Sequence, residues 1–124
     1  TIQKMDHLIR DRGRIIFISS HLGLIPHATS IPYSVSKAAV IMLAKSLVKV
    51  YKRRLITVNV IAPGFVDTEW HQSKAPEHRK RVENKIALGR FAEPKEIASA
   101  CVYIIGNDYL NGAVLQIDGG YDME

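Results

Sequence analysis

Three stretches of the chain are unbroken runs of apolar and β-branched residues: Arg14-Ile-Ile-Phe-Ile-Ser-Ser20, Leu55-Ile-Thr-Val-Asn-Val-Ile-Ala62 and Ala113-Val-Leu-Gln-Ile117. A strand with one wet face alternates apolar and polar residues, whereas a strand covered on both faces need not. The runs therefore predict buried parallel strands. Helical stretches separate them. The longest runs from Tyr33 to about Arg54 with Pro32 at its first turn, a shorter one spans Pro76 to Ala87, and Glu93-Pro94 opens a third that reaches Ile105. Residues 1–11, with Ile2, Met5, Leu8 and Ile9 at helical spacing, read as the tail of another helix, ended by Gly13. This order defines the α/β layered class, a parallel sheet covered by helices on both faces. The first strand is expected to keep an unpaired edge. Ala38 to Ala44 is apolar nearly all the way round, which predicts cover for helix 33–54 from its own sheet and from a second copy of the chain.

A length of 124 residues suits one domain, and 47% hydrophobic residues are ample for its core. The single cysteine, Cys101, excludes an internal disulfide framework and a cysteine-based zinc cluster. No apolar run reaches the ~18 residues that a membrane-spanning helix needs, and residues 1–14 are too mixed and charged for a secretory or transit signal. A cytoplasmic protein without a membrane partner is the expectation. The net charge of +5 is concentrated in residues 45–54 and 71–90, where Tyr51 is the one aromatic residue. Grooves that bind nucleic acid interleave aromatics with their cations, so these charges read as solvated surface and no nucleic-acid partner is expected.

The sharpest chemical feature is Tyr33-Ser-Val-Ser-Lys37 at the start of a helix, with Ser20 at the end of the strand before it. Residues four apart share a helix face, so the phenol and the ammonium project the same way. A phenol ordinarily titrates near pH ~10, and a neighbouring ammonium favours its ionised form, as general acid–base catalysis near neutrality requires. Ser20 at a strand's carboxyl end is placed to donate a hydrogen bond to a substrate oxygen, since ligands of open α/β sheets bind at those ends. Other features have plainer readings. Pro63-Gly64 can be a strand stop, Thr68 a helix N-cap before Glu69-Trp70, and Asp118-Gly119-Gly120 a turn. Asn59, inside a strand, reads as a structural amide that needs partners. The five histidines lack metal-ligand spacing, and no metal site is expected.

Taken together, Gly13-Arg-Ile-Ile-Phe-Ile-Ser-Ser20, Tyr33-Ser-Val-Ser-Lys37-Ala-Ala and Asn59-Val-Ile-Ala-Pro63-Gly64-Phe-Val-Asp-Thr68 resemble the short-chain dehydrogenase/reductase family. Gly89-Arg-Phe-Ala-Glu-Pro94-Lys-Glu-Ile-Ala98 and Gln116-Ile-Asp118-Gly-Gly120 resemble that family's C-terminal signatures. The likeness covers nearly the whole chain and is nearest to the classical branch that includes 3-oxoacyl-carrier-protein reductases. It implies an NAD- or NADP-dependent interconversion of carbonyl and alcohol in a small-molecule substrate. By the same likeness Tyr33 is the acid/base, Lys37 supports Tyr33 and binds the nicotinamide ribose, and Ser20 orients the substrate oxygen. Pro63 and Gly64 would flank the nicotinamide, Val66 and Thr68 would hold its carboxamide and nearby phosphate, and residues 64–92 would form a substrate lid.

Members of that family are typically twice this long. None of the eight glycines forms a G-x-G-x-x-G turn for a pyrophosphate, and no Asn precedes Asn59, although the family carries a catalytic Asn ahead of its serine. The residue that would select NAD or NADP is missing too. The expectation is the C-terminal half of a doubly wound, parallel-sheet Rossmann fold, a truncated form holding most catalytic residues and little of the cofactor site. The alternative is a catalytically silent fragment serving as a dimerising scaffold.

Overall fold

A computed structural model describes residues 2–28, 30–121 and 123. Helix α1 (Ile2–Met5) and a 3₁₀ turn (Asp6–Leu8) lead into strand β1 (Arg14–Ile18), and α2 (Ile31–Val50) connects β1 to β2 (Thr57–Pro63). Two short helices follow, α3 (Glu69–Gln72) and α4 (Pro76–Glu83), before α5 (Pro94–Gly106) returns the chain to β3 (Val114–Ile117). The sheet is parallel throughout in the order β1-β2-β3, with Ile16 opposite Asn59 and Ile61 opposite Leu115.

The central strand carries the core. Every residue of β2 except Pro63 is buried. Val58 and Val60 pack with Ile56, Ile41, Ala44 and Tyr51, which places α2 over that face. The two-residue period of a strand sends Thr57, Asn59 and Ile61 to the other face, where α5 lies and Ile104 is wholly buried. Asn59 is the one fully buried amide among the described residues. Its Nδ2 donates to the Leu110 carbonyl at 2.9 Å, and its Oδ1 accepts from the Ala113 N–H at 3.0 Å. The structural reading of this residue is correct: it docks the turn before β3 onto β2.

Several boundaries and one burial expectation need correction. The N-terminal helix ends by Leu8 instead of residue 11, and Thr1, included in that expected helix, lies outside the described residues. β1 stops at Ile18, two residues before Ser20, because Ser20 leaves the ladder to cap a 3₁₀ turn. Leu55 sits in the left-handed region at φ 52°, which no strand tolerates, so β2 starts at Thr57 and continues through Pro63. The long helix begins two residues earlier than expected and ends at Val50, with Lys52–Arg54 as a 3₁₀ turn. α4 ends at Glu83 instead of Ala87. Unlike β2, β1 is only half-buried, and Ile18 is 49% exposed. Among the described residues it pairs with β2 alone. Finally, α2 is long and apolar enough to cross a membrane by length and composition, which corrects the expectation that no run reaches that length. Here it packs one face on the sheet and exposes Val35, Met42, Leu43 and Val50.

The start of α5 supplies a pH prediction. Glu96 accepts from the Glu93 N–H at 2.7 Å and takes two bonds from the Arg90 guanidinium at 2.8 and 2.7 Å. The Arg90 bonds, then the backbone N–H, lower its carboxyl to about 2. A depressed folded-state value stabilises the fold above the ordinary carboxylate value, and that contribution is lost as pH falls from about 4.5 toward 2. Glu96→Gln is therefore expected to flatten the acid limb of a stability-against-pH curve. An unchanged slope in that window would contradict it.

Candidate active site at the carboxyl ends of β1 and β2

Ser19 and Ser20 follow β1 and are both buried. Ser20 Oγ accepts from the Leu22 N–H at 3.2 Å, which leaves its own O–H available to donate elsewhere. Three contacts lock this corner onto the first turns of α2, all centred on Lys37. Ser19 Oγ donates to the Lys37 carbonyl at 2.8 Å, and Lys37 Nζ donates to the Ile18 carbonyl at 3.3 Å. Gly23 packs so tightly that a Cβ there would stand 2.8 Å from the Lys37 carbonyl carbon. One turn earlier, Tyr33 is half-exposed, with Lys37 Nζ 5.6 Å from its ring centroid. The shared helix face inferred from spacing is thus observed. Ser19 and Gly23 position the set, and neither stands out in the sequence; a serine before another serine and a loop glycine carry no local signal of what they will touch.

Ser20, Tyr33 and Gly64 border one cleft of ≈ 720 Å³. Its wall is aromatic: His21 lies 4.9 Å from Tyr121 and 5.7 Å from Phe65, and Phe65 lies 5.5 Å from His71. His21 is buried, and its Nδ1–H donates to the Pro63 carbonyl at 3.2 Å, tying the end of β1 to the end of β2. The sequence shows it only as a loop residue, since nothing local distinguishes a buried histidine from an exposed one. Burial, then the nearby Lys74, His78 and Arg79, push the His71 imidazole below its usual value, against the opposing pull of Asp67.

Of the other residues singled out from sequence, Lys37, Pro63, Val66 and Thr68 lie beside the cleft and not on its wall. Lys37 sits behind Tyr33, and Pro63 contributes its carbonyl to His21. Val66 makes a parallel bridge with Ala92. Thr68 takes the N-cap position of α3, but its side chain makes no capping bond; its carbonyl accepts from the His71 and Gln72 N–H groups. Gly64 has a packing requirement of its own, because a Cβ there would stand 2.6 Å from that of Asp118. Asp118-Gly119-Gly120 is a turn in which Asp118 Oδ1 accepts from the Gly120 N–H at 3.0 Å.

Residues 64–92 cross one side of the cleft. Val82, Ile86, Phe91 and Tyr121 form a second small core beneath them, with Phe65 packed against it. Arg79 braces the segment through Asp67 at 3.0 and 3.2 Å and Glu83 at 2.9 Å, with its guanidinium 4.4 Å from the Phe91 ring centroid. Among the described residues, no three His, Cys, Asp or Glu side chains gather as a metal site would.

A parallel sheet flanked by helices is a Rossmann-like α/β fold, and Ser20, Tyr33 and Lys37 lie near the carboxyl ends of its strands. The chain belongs to the short-chain dehydrogenase/reductase family: a family model described as enoyl-(acyl carrier protein) reductase matches residues 1–122. A rat 3-oxoacyl-acyl-carrier-protein reductase is 37% identical over 119 residues, 96% of this chain and 49% of that protein. A short-chain dehydrogenase/reductase from Serratia marcescens superposes with a TM-score of 0.87 at 36% identity, covering 97% of this chain and 50% of that one. A blue fluorescent protein from a metagenomic library, solved in complex with NADPH, superposes with a TM-score of 0.87 at 31% identity, covering 96% and 49%. The chain spans about half the length of these relatives.

Proposed function

We propose that the chain is the catalytic half of an NAD- or NADP-dependent oxidoreductase that interconverts a carbonyl and an alcohol, with Ser20, Tyr33 and Lys37 as its catalytic residues. The observation that carries this reading is the opening of Ser20 and Tyr33 onto one cleft, with Lys37 fastened behind the phenol. Ser20, whose Oγ already accepts from Leu22, directs its O–H at the substrate oxygen. Tyr33 moves the proton to or from that oxygen. The Lys37 ammonium stabilises the negative charge left on the phenol oxygen, and its tether to the Ile18 carbonyl keeps it from swinging into solvent. The nicotinamide, when bound, supplies or accepts the hydride.

The residues present fit the nicotinamide end of such a cofactor. Lys37 Nζ keeps donor capacity beyond its bond to Ile18, and the carboxyl ends of β1 and β2 lie open beside it. Pro63 and Gly64 flanking the ring, with Val66 and Thr68 at the carboxamide and adjacent phosphate, belong to the same proposal. The pyrophosphate end is different. Among the described residues the positive-φ glycines are Gly89, Gly112, Gly119 and Gly120, and none opens a helix directly after a strand. That part of the cofactor needs chain beyond these residues, in keeping with relatives twice as long. Residues 64–92 act as the substrate lid in this reading, and the exposed side chains of α2 form a contact with a second copy. The scaffold alternative draws on the same exposed helix, whereas the organised cleft favours an enzyme.

Trp70, the one tryptophan of these 124 residues, borders the cleft, so its fluorescence responds to what binds there. Titrating NADH and NADPH into the whole enzyme is expected to quench its fluorescence saturably for at least one of them. Absence of binding to both, with the protein folded, would end the nicotinamide reading.

A further inference from the structure

Two of the three arginines in the lid segment stand two positions apart, Arg79 and Arg81, and the fold uses them in different ways. Arg79 is saturated by Asp67 and Glu83 and packs on Phe91. Arg81 lines the cleft instead, and among the described residues it pairs with no carboxylate. Its one polar partner there is His78 Nδ1, to which it donates at 3.1 Å. That bond holds the guanidinium on the cleft wall without neutralising it. No Asp or Glu among the described residues borders the same space. A guanidinium on a cleft wall with no carboxylate among its described lining residues is placed to meet an anion that enters.

We propose that the substrate of this site carries an anionic group, a carboxylate or a phosphate, which Arg81 holds while the reacting carbonyl lies at Ser20 and Tyr33. The proposal rests on the placement of the reacting centre given above. It adds that specificity comes from the lid arginine. A planar guanidinium meets either anion in a two-point fork, which a lysine cannot reproduce. A cleft of ≈ 720 Å³ has room for both groups in one small molecule.

The test uses matched pairs of probes on the whole enzyme, with Trp70 fluorescence as the readout, so that binding is measured apart from turnover. Acetoacetate is compared with methyl acetoacetate, and dihydroxyacetone phosphate with dihydroxyacetone; the pair showing the larger preference identifies the anion. The charged member is expected to bind about tenfold tighter than its neutral partner, the effect of one charge-assisted contact. Arg81→Gln is expected to remove the preference and Arg81→Lys to restore part of it. Equal binding within both pairs, no binding of any probe, or a preference that survives Arg81→Gln would each overturn the proposal. Tyr33→Phe separates the two readings: it should keep the preference for the anion while losing turnover. If turnover survives Tyr33→Phe and the preference persists, the catalytic assignment fails and the anion site stands.

Discussion

Replacing Tyr33 with phenylalanine is expected to lower turnover of the whole enzyme by about 10²- to 10⁴-fold, the usual contribution of a positioned acid–base group. The fold should not notice the change. The Tyr33 side chain is 46% exposed, and its hydroxyl holds no hydrogen bond among the described residues, so removing one oxygen leaves no buried group unsatisfied. Its backbone carbonyl, which accepts from Ser36 Oγ at 2.7 Å, is unaffected. Lys37→Met is the informative companion. It removes the ammonium beside the ring and also frees the Ile18 carbonyl at the end of β1, so it should impair both turnover and cofactor binding, whereas Tyr33→Phe acts on the chemical step. Turnover retained within about threefold in Tyr33→Phe, a difference of well under 1 kcal/mol, would remove the phenol from the mechanism.

The contrast between these positions and their supports shows which kinds of information are local. Tyr33 and Lys37 are legible because helical spacing alone sets their mutual orientation, and the β-branched runs mark the strands because a strand's surroundings are written in its own residues. Ser19, Gly23 and His21 are not legible. Each acts through a residue far along the chain: Ser19 and Gly23 through Lys37, His21 through Pro63. The charge run of residues 71–90 illustrates the same limit. As sequence, Arg79 and Arg81 are equivalent members of a solvated basic stretch. Only the packing of α4 over Phe91 turns one toward Asp67 and Glu83 and the other toward the cleft. The half-burial of β1 escapes the sequence because an apolar run states what a strand prefers as a neighbour, not whether the described chain supplies it. β1 has β2 on one side and no strand on the other among the described residues, while β2 has a neighbour on each and is buried. A local helix pattern and a family likeness name residues at the cleft, and the cleft itself emerges only from the packing.

Asn59→Leu is expected to destabilise the protein by about 2–4 kcal/mol, because two buried backbone groups lose their partners at once. Leucine is close enough to asparagine in length and branching that neither a cavity nor a clash dominates. What changes is satisfaction: the Leu110 carbonyl loses a donor at 2.9 Å, and the Ala113 N–H loses an acceptor at 3.0 Å. The neighbouring contacts of the same turn remain, with the Val58 N–H donating to Asn111 Oδ1 at 2.9 Å and the Gly112 N–H to the Val58 carbonyl at 2.8 Å. The turn should therefore loosen at its ends and stay attached at its middle. Asn59→Asp provides the sign test. Its carboxylate still accepts from Ala113 but offers nothing to the Leu110 carbonyl, and it sets a charge in a site with no accessible surface, so it should cost more than leucine at neutral pH. Lowering the pH should then recover part of the loss, since the introduced carboxyl donates again once it is protonated. Urea midpoints of the three proteins at pH 7 and pH 5 decide the matter. A leucine variant within about 0.5 kcal/mol of the parent would mean that the bonds to the turn are replaceable by water, and that β3 is held by its ladder with β2 alone.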